Sequence, residues 1–585
     1  MIDSYRWVTQ LQRRHARVLA AQSQLDDEQR LRLNSLQLAD AVLRKCTLSE
    51  SHPDHALQIA VIGPTQSGKS TLVNVLLDVQ AAGISALAGF TVHAQGYATQ
   101  VDDDALQLIE PLMAPLARVP ASNLSHSDLN TFVLEPVDGG RNALITPAIV
   151  WDTPDFDSID AGSYKQAVMN SIAIADMTIL MVSKDKYGDK SVWDLLELTG
   201  PLQQPLLVCI NKLDPRDEAT VVSAFKSRYQ SLFNTAVPPI TLLPFVRRED
   251  QNASFTLPAE RLQQLQQALI DRQSTINRYS ANQHVKAFIN QHRKGWMAPL
   301  VAERQAALQW QEMVDSAMAQ AEAEYSRDFL NNHDRYDTFN RALAELLTLL
   351  EIPGIAPALI RTRQMVTWPA RKLLGLGRDV INQERETGKS VLDQEADTLE
   401  RIVDSTLITL QGQLMDQAQE PYWIALSGDF RNRKLALREA CLIESVSARK
   451  DFEPQIEAAA KRLYAQLQSQ PALLNTLRAA RATADAAGVA LAIKSGGIAP
   501  ADLILAPAML SVTTLLTESA LGKFMDSVKA ELKERQLEHI RSRLLEGVLA
   551  YELMQLTQSL PGEALYAQDL EQELLIELEA EAARA

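Results

Sequence analysis

The sequence predicts an α/β domain with a mostly parallel sheet, set between helices from both chain ends and continued by a large all-α region. Three observations predict it. Short apolar runs, LQIAVIG at 57–63, FVLEP at 132–136, LITPAIVW at 144–151, MTILMVS at 177–183 and PLLVCIN at 205–211, alternate with helical stretches. That is the pattern of strands buried on both faces. The first run leads straight into a glycine-bounded loop, GPTQSGKST at 63–71. Beyond about residue 250 the strand signals fade and Ala, Leu, Gln and Glu dominate, a composition that favours long helices.

At 585 residues the chain is too long for one core. Residues 1–55 carry Trp7, Leu11, Val18, Leu25, Leu31, Leu36 and Leu38 among many charges, with a break near Asp26 and Asp27. This is a helical hairpin awaiting another surface, expected to be the helical region. Residues 56–250 hold the α/β pattern. Residues 251–585 read as helices around 262–279, 296–350, 452–482 and 524–556. A heptad-like series, Leu392, Ala396, Leu399, Val403, Leu407, Leu410 and Leu414, marks one face of a long stalk or bundle helix. From 563 onward acidic residues interleave with Leu and Ile, an amphipathic helix expected to lie beside the N-terminal pair.

Composition narrows the function classes. A net charge of -16 disfavours a whole-protein nucleic-acid role, which rests on concentrated Lys and Arg. Cys46, Cys209 and Cys441 are far apart and show neither a CxxC nor a Cys/His spacing, so no disulfide framework or zinc site is expected. The N-terminus lacks a signal peptide's apolar core, and no stretch has eighteen uninterrupted apolar residues. A cytoplasmic protein, peripheral at a membrane if it meets one, is the expectation.

The loop at 63–71 satisfies GxxxxGK[ST] between an apolar strand and the helical run TLVNVLLDV. In such a loop the backbone from Gly63 through Gln66, Ser67 and Gly68 to Thr71 can wrap phosphates. Lys69 meets the β/γ oxygens, and the Ser70 hydroxyl ligates magnesium at a helix N-terminus. The loop does not choose the base. Asn211-Lys212-Leu213-Asp214 does, at the end of PLLVCI, because it matches NKxD. The Asp carboxylate accepts the guanine N1–H and N2–H, and adenine would leave it unpaired.

Phosphate loop, a DxxG-like segment and NKxD occur in that order, each at a strand end. On these motifs residues 56–250 resemble a translation-factor-related GTPase of the Era and dynamin-like branch, and the plan of the whole chain resembles a bacterial dynamin-like GTPase. The resemblance implies GTP/GDP and Mg2+ as ligands. It also implies a switch Thr within GISALAGFTVHAQGYAT at 83–99, with Thr91 the choice for metal and γ-phosphate and Thr99 and Ser85 its rivals.

The DxxG-like segment is WDTPDFDS at 151–158. Asp152 stands where the family keeps its magnesium-side carboxylate. Asp155 replaces the Gly whose backbone N–H meets γ-phosphate; the Asp155 N–H can bind the nucleotide in the same way where its backbone fits, but its carboxylate is repelled by the phosphates unless it turns away. Phe156 occupies the position of a water-orienting Gln, as the resemblance allows for this branch. Water must then be oriented elsewhere: Thr65 and Gln66 stand where dynamins carry a polar pair, and either catalysis or loop hydrogen bonding fits them. Lys184 and Lys186 read as a solvated charged loop or as reaching the nucleotide or a second G domain. No fifth guanine loop is assignable after TLLPFVRR at 241–248.

Two helical-region segments stand apart. Residues 352–378 hold five basic and no acidic residues around Trp368, suiting either anionic lipid or a basic hinge. Residues 486–522 carry only Lys494, Asp502 and Glu518 as charges and read as an apolar hairpin, a buried core element or a membrane-touching tip. The expected function is a GTP-hydrolysing dynamin-like protein coupling nucleotide state to helical rearrangement or self-assembly, a homo-oligomer through its G domains or stalk. The alternative is a slowly hydrolysing GTP-binding switch acting on a protein partner.

Overall fold

A computed structural model of the protein describes residues 5–20, 25–82, 91–244, 257–349, 394–475 and 522–582, apart from 126, 141–142, 146, 157–160, 333–335, 337, 418–419, 473, 561–564 and 568–569. Segments 352–378 and 486–521 lie outside the described residues, as does Ser85. The chain groups into two compact units, Met1–Ala302 with Gly562–Ala585, and Glu303–Pro561.

The first unit is built on an eight-stranded sheet of β1 (Gln58–Ile62), β2 (Gln95–Thr99), β3 (Ala117–Arg118), β4 (Thr131–Pro136), β5 (Ala148–Asp152), β6 (Met177–Ser183), β7 (Leu206–Leu213) and β8 (Ile240–Pro244). The order is β3-β4-β2-β5-β1-β6-β7-β8, parallel at every pairing but β2 with β5. β1 lies between β5 and β6 and is buried throughout. Successive side chains point to opposite faces. Ile59 and Val61 therefore join a core with Leu72, Val73 and Leu76 of α3 (Lys69–Leu77) and Leu265 and Leu269 of α8 (Ala259–Gln273). Ala60 and Ile62 join the opposite core.

That second core is covered by α1 (Arg6–Ala20), α2 (Asp27–Ser51) and α5 (Ala161–Ile174); α4 (Asp103–Ile109) follows β2, and α6 (Lys190–Thr199) and α7 (Glu218–Leu232) follow β6 and β7. The expected break between the first two helices is a cap. Asp26 accepts from Gln29 N at 2.7 Å and its own N–H reaches the Gln29 side chain at 3.1 Å, which closes a capping box. The sequence reading sets residues 1–55 on the helical region. The contacts set them with the sheet instead, since α2 carries Leu36, Leu38, Ala39, Val42 and Cys46 into the core that α5 shares.

The unit also extends past residue 250, to Ala302, and takes in the C-terminal helix Gln572–Ala582. Gln10 of α1 donates to Glu571 at 2.7 Å, and Arg293 pairs with Glu581 at 3.1 Å. The helix expected over 262–279 is two helices. α8 stops at Gln273, and Asn277 caps the next one, α9 (Arg278–Tyr325), by accepting from the N–H of Tyr279 and Ser280 at 3.1 Å each.

A buried charge knot ties this junction together. Asp176, just ahead of β6, pairs with Lys45 of α2 at 2.8 Å and with Arg278 at 2.7 Å, and accepts the Gln58 N–H at 2.9 Å. Burial pushes the Asp176 carboxyl up, but the two cations outweigh it and hold the group well below the usual carboxylate range.

The second unit is helical among its described residues: the remainder of α9, a π-helical turn Ser326–Leu330, and helices Thr338–Leu349, Gln394–Gln417, Pro421–Asp451, Glu453–Gln468, Gly522–Ile540 and Tyr551–Gln558, the last two joined by π-helix Arg541–Ala550. The π turn and the residues after it divide the run expected over 296–350. Leu399, Val403, Leu407, Leu410 and Leu414 of the heptad series are all buried, and Arg438 crosses to Asp404 at 2.6 Å. Glu395 is a buried carboxylate held by the Tyr325 hydroxyl at 2.7 Å and the Gln536 amide at 2.8 Å.

Candidate functional site

The loop after β1 is shaped by two glycines that no other residue could replace. A Cβ on Gly63 would lie 2.1 Å from the Met181 carbonyl oxygen. Gly68, the N-cap of α3, has φ +101°, and a Cβ there would lie 2.5 Å from Asn211 Nδ2. The loop thus wraps closely against the ends of β6 and β7 and opens into the α3 N-terminus, where backbone N–H groups are free to meet an anion.

Lys69 and Ser70 begin α3. The buried Lys69 ammonium donates to the Gly63 carbonyl at 3.0 Å, to the Pro64 carbonyl at 3.3 Å and to the Asp155 carboxylate. Asp155 is itself buried, with its carboxylate on the loop lysine. Ser70 Oγ donates to Asp152 Oδ2 at 2.6 Å. Thr71 is half-buried in the first turn of α3.

Asp152 ends β5 and is 1% exposed, brought beside the loop because it pairs in register with Val61 of β1. Burial, chiefly, raises its carboxyl to about 6; the Ser70 hydrogen bond and Lys69 work against that rise and Asp155 adds to it. Its second oxygen, Oδ1, is buried without a hydrogen-bond partner. An orphaned carboxylate oxygen beside a serine hydroxyl is a donor set that suits a hard cation such as magnesium, with Ser70 and Asp152 as the residues to hold it. Among the described residues no group of three or more His, Cys, Asp and Glu forms a metal cluster.

NKLD is fastened to the phosphate loop. Asn211 Nδ2 donates to the Ser67 carbonyl at 2.9 Å, and Lys212 Nζ donates to the Gln66 carbonyl at 2.8 Å. Lys212 adopts φ +61° and takes the Asn211 side-chain oxygen on its own N–H at 2.8 Å. Asp214 is exposed, with Oδ1 accepting from the Arg216 N–H at 3.0 Å, a turn that fixes the direction of its carboxylate.

The remaining candidates separate. Thr65 is half-buried and Gln66 exposed in the loop, Gln66 with φ +60°. Thr91 is buried just before β2. Its rival Thr99 lies inside β2 and donates to the Ala148 carbonyl at 3.3 Å, a role in the sheet. Phe156 packs against the core below β5. Lys184 is paired across to Asp217, just ahead of α7, and Lys186 with Asp189 of its own loop at 3.1 Å. Residues 245–256, where a fifth loop would fall, are outside the described residues. Sequence reasoning missed the Lys69–Asp155 pair and the two bonds joining NKLD to the phosphate loop; no spacing signals them, because they follow from strand order.

The strand order, the phosphate loop after β1, the carboxylate at the end of β5 and NKxD at the end of β7 define a P-loop GTPase domain. Residues 58–212 match the family model described as 50S ribosome-binding GTPase. Two solved chains of an oligomerised bacterial dynamin pair, described as providing a mechanism for the long-range sensing and tethering of membranes, are similar to this chain. One is 11% identical, covers 96% of this chain and 96% of its own, and has a TM-score of 0.38. The other is 10% identical, covers 95% and 96%, and has the same TM-score of 0.38. No curated protein matches the chain.

Proposed function

We propose that the protein binds and hydrolyses GTP in the manner of dynamin-like proteins, coupling nucleotide state to rearrangement of its helical region or to self-assembly, at a membrane surface. The GTPase module is residues 56–250. The observation that carries this reading is the joining of Lys69, Ser70, Asp152 and Asn211 into one hydrogen-bonded site at the carboxyl ends of β1, β5 and β7.

In this reading the loop N–H groups from Gly63 to Thr71 bind the phosphates and Lys69 meets the β/γ oxygens. Asp214 reads the guanine edge, with Asn211 and Lys212 bracing the loop beneath it. Magnesium, held by Ser70 and Asp152 with Thr91 as the switch ligand, offsets phosphate charge. Thr65, Gln66 and Thr91 are the groups we propose to orient water, since Phe156 is apolar and packed on the core. Self-association through G domains or helices would complete the site. The membrane element of the proposal rests on the basic, Trp-bearing 352–378 and the apolar 486–522.

Phosphate release from GTP, followed over a range of protein concentrations and with phosphatidylserine or phosphatidylcholine vesicles, tests this. Turnover per chain that climbs with concentration and with anionic vesicles supports it. Turnover indifferent to both contradicts it. One observation favours the second reading, a slow switch that acts on a protein partner: Asp155 occupies the loop lysine.

A further inference from the structure

We propose that Asp155 is an internal competitor for the phosphates, a carboxylate that must leave Lys69 before a nucleotide's β/γ oxygens can take its place. The inference rests on the nucleotide reading of this site and names how that site is regulated.

An ammonium has three N–H donors. Lys69 spends them on three oxygens, those of Gly63, Pro64 and Asp155. A phosphate oxygen can join only by releasing one of them. Gly63 and Pro64 offer main-chain carbonyls fixed by the loop, whose path is locked where Gly63 meets the Met181 carbonyl. Asp155 is the acceptor on a rotatable side chain, and the one that a phosphate's negative charge repels. It is also buried, so its displacement carries it out of a buried position.

The neighbours of Asp155 are held in place. Thr153 is anchored, its hydroxyl donating to the Val61 carbonyl at 3.0 Å, and Phe156 is packed on the core. Asp155 lies between these two held residues, so its carboxylate leaves Lys69 by turning about its own side-chain bonds. Where the family's Gly would report phosphate by its N–H, this chain reports it by exchanging one anion for another at Lys69. Phosphate occupancy and the position of the Asp155 carboxylate become two faces of one equilibrium.

The test is equilibrium binding of GTP, GDP and GMP to the full chain, native and with Asp155→Asn, Asp155→Gly and Asp155→Glu. Both neutral variants are expected to bind GTP and GDP about tenfold more tightly than the native chain, a factor worth ~1.4 kcal/mol. GMP, which ends at the α-phosphate, is expected to bind all of them alike, and Asp155→Glu to stay near native. In a Lys69→Ala background the Asp155→Asn gain is expected to vanish, since the two residues act through one contact. Unchanged or weakened GTP and GDP binding in both neutral variants overturns the proposal. So does an equal change for all three nucleotides, which would mark Asp155 as structural. Absence of guanine-nucleotide binding in every chain, native included, overturns the nucleotide reading itself and the proposal with it.

Discussion

The Asn211 side-chain amide donates to the Ser67 carbonyl at 2.9 Å, so the loop expected to read the base is hung directly on the loop expected to hold the phosphates. Gly68 makes room for this, because a Cβ would stand 2.5 Å from the same amide nitrogen. The first prediction follows from that bond. Asn211→Ala removes one hydrogen bond of roughly 1 kcal/mol and leaves a carbonyl to be solvated, so binding of GTP and GDP should weaken together by about fivefold to tenfold. Titration of each nucleotide against the variant reads it out; a loss confined to one nucleotide would contradict the tether.

Ser70 and Asp152 share a hydrogen bond of 2.6 Å and leave Asp152 Oδ1 without a partner. If these atoms hold magnesium, Ser70→Ala should weaken GTP binding by about tenfold in magnesium and little in EDTA, because the hydroxyl's share of the interaction is with the cation. The ratio of the two affinities is the readout. An equal loss in both buffers would assign Ser70 to loop structure alone.

Asp176 faces two cations from two different helices, Lys45 and Arg278. Taking the carboxylate away leaves both charges in a buried setting, and the cost of breaking such a pair is about 3–5 kcal/mol. Asp176→Asn should therefore lower the urea midpoint of the sheet-bearing unit markedly. An Asp189→Asn control, which removes a half-exposed pair with Lys186, should change it little. Equal midpoints in the two variants would show the knot to be without weight.

His15 supplies a pH signature. It is fully buried, its Nε2–H donating to the Trp296 carbonyl at 3.0 Å, and its pKa is lowered to about 3. Burial is the main cause; the Trp296 carbonyl opposes it and the Arg32 charge adds to it. The unfolded chain takes up this proton near the ordinary value of 6.5 and the folded chain does not until about 3. Between those values stability falls as pH falls, by up to about 1.4 kcal/mol per pH unit from this group. His15→Gln keeps a donor without a titrating ring, so from pH 7 to pH 5 it should lose less stability than the native chain. Parallel denaturation profiles for the two would contradict the assignment.

Much of this fold is legible in the sequence where burial is complete. MTILMVS at 177–183 coincides with β6, every residue of it buried, because a central parallel strand must be apolar on both faces. β2 is different: QGYAT is short, polar and glycine-bearing, and it becomes a strand between β4, parallel to it, and β5, antiparallel. The motif residues were visible because their chemistry repeats at strand ends. The Lys69–Asp155 pair was not, since 86 residues separate the two and only the β1–β5 register brings them together. The N-terminal hairpin shows the same limit. Its apolar face was readable, but the surface that covers it, α5, was not.

The central claim is that Lys69 and Asp214 belong to one guanine-nucleotide site. It is tested most directly by the binding and hydrolysis of GTP against ATP in magnesium, comparing the native chain with Lys69→Ala and Asp214→Asn. The native chain is expected to prefer GTP, Lys69→Ala to weaken binding of both nucleotides alike, and Asp214→Asn to reduce the preference for GTP by about a hundredfold. A GTP preference unchanged in Asp214→Asn would contradict the claim.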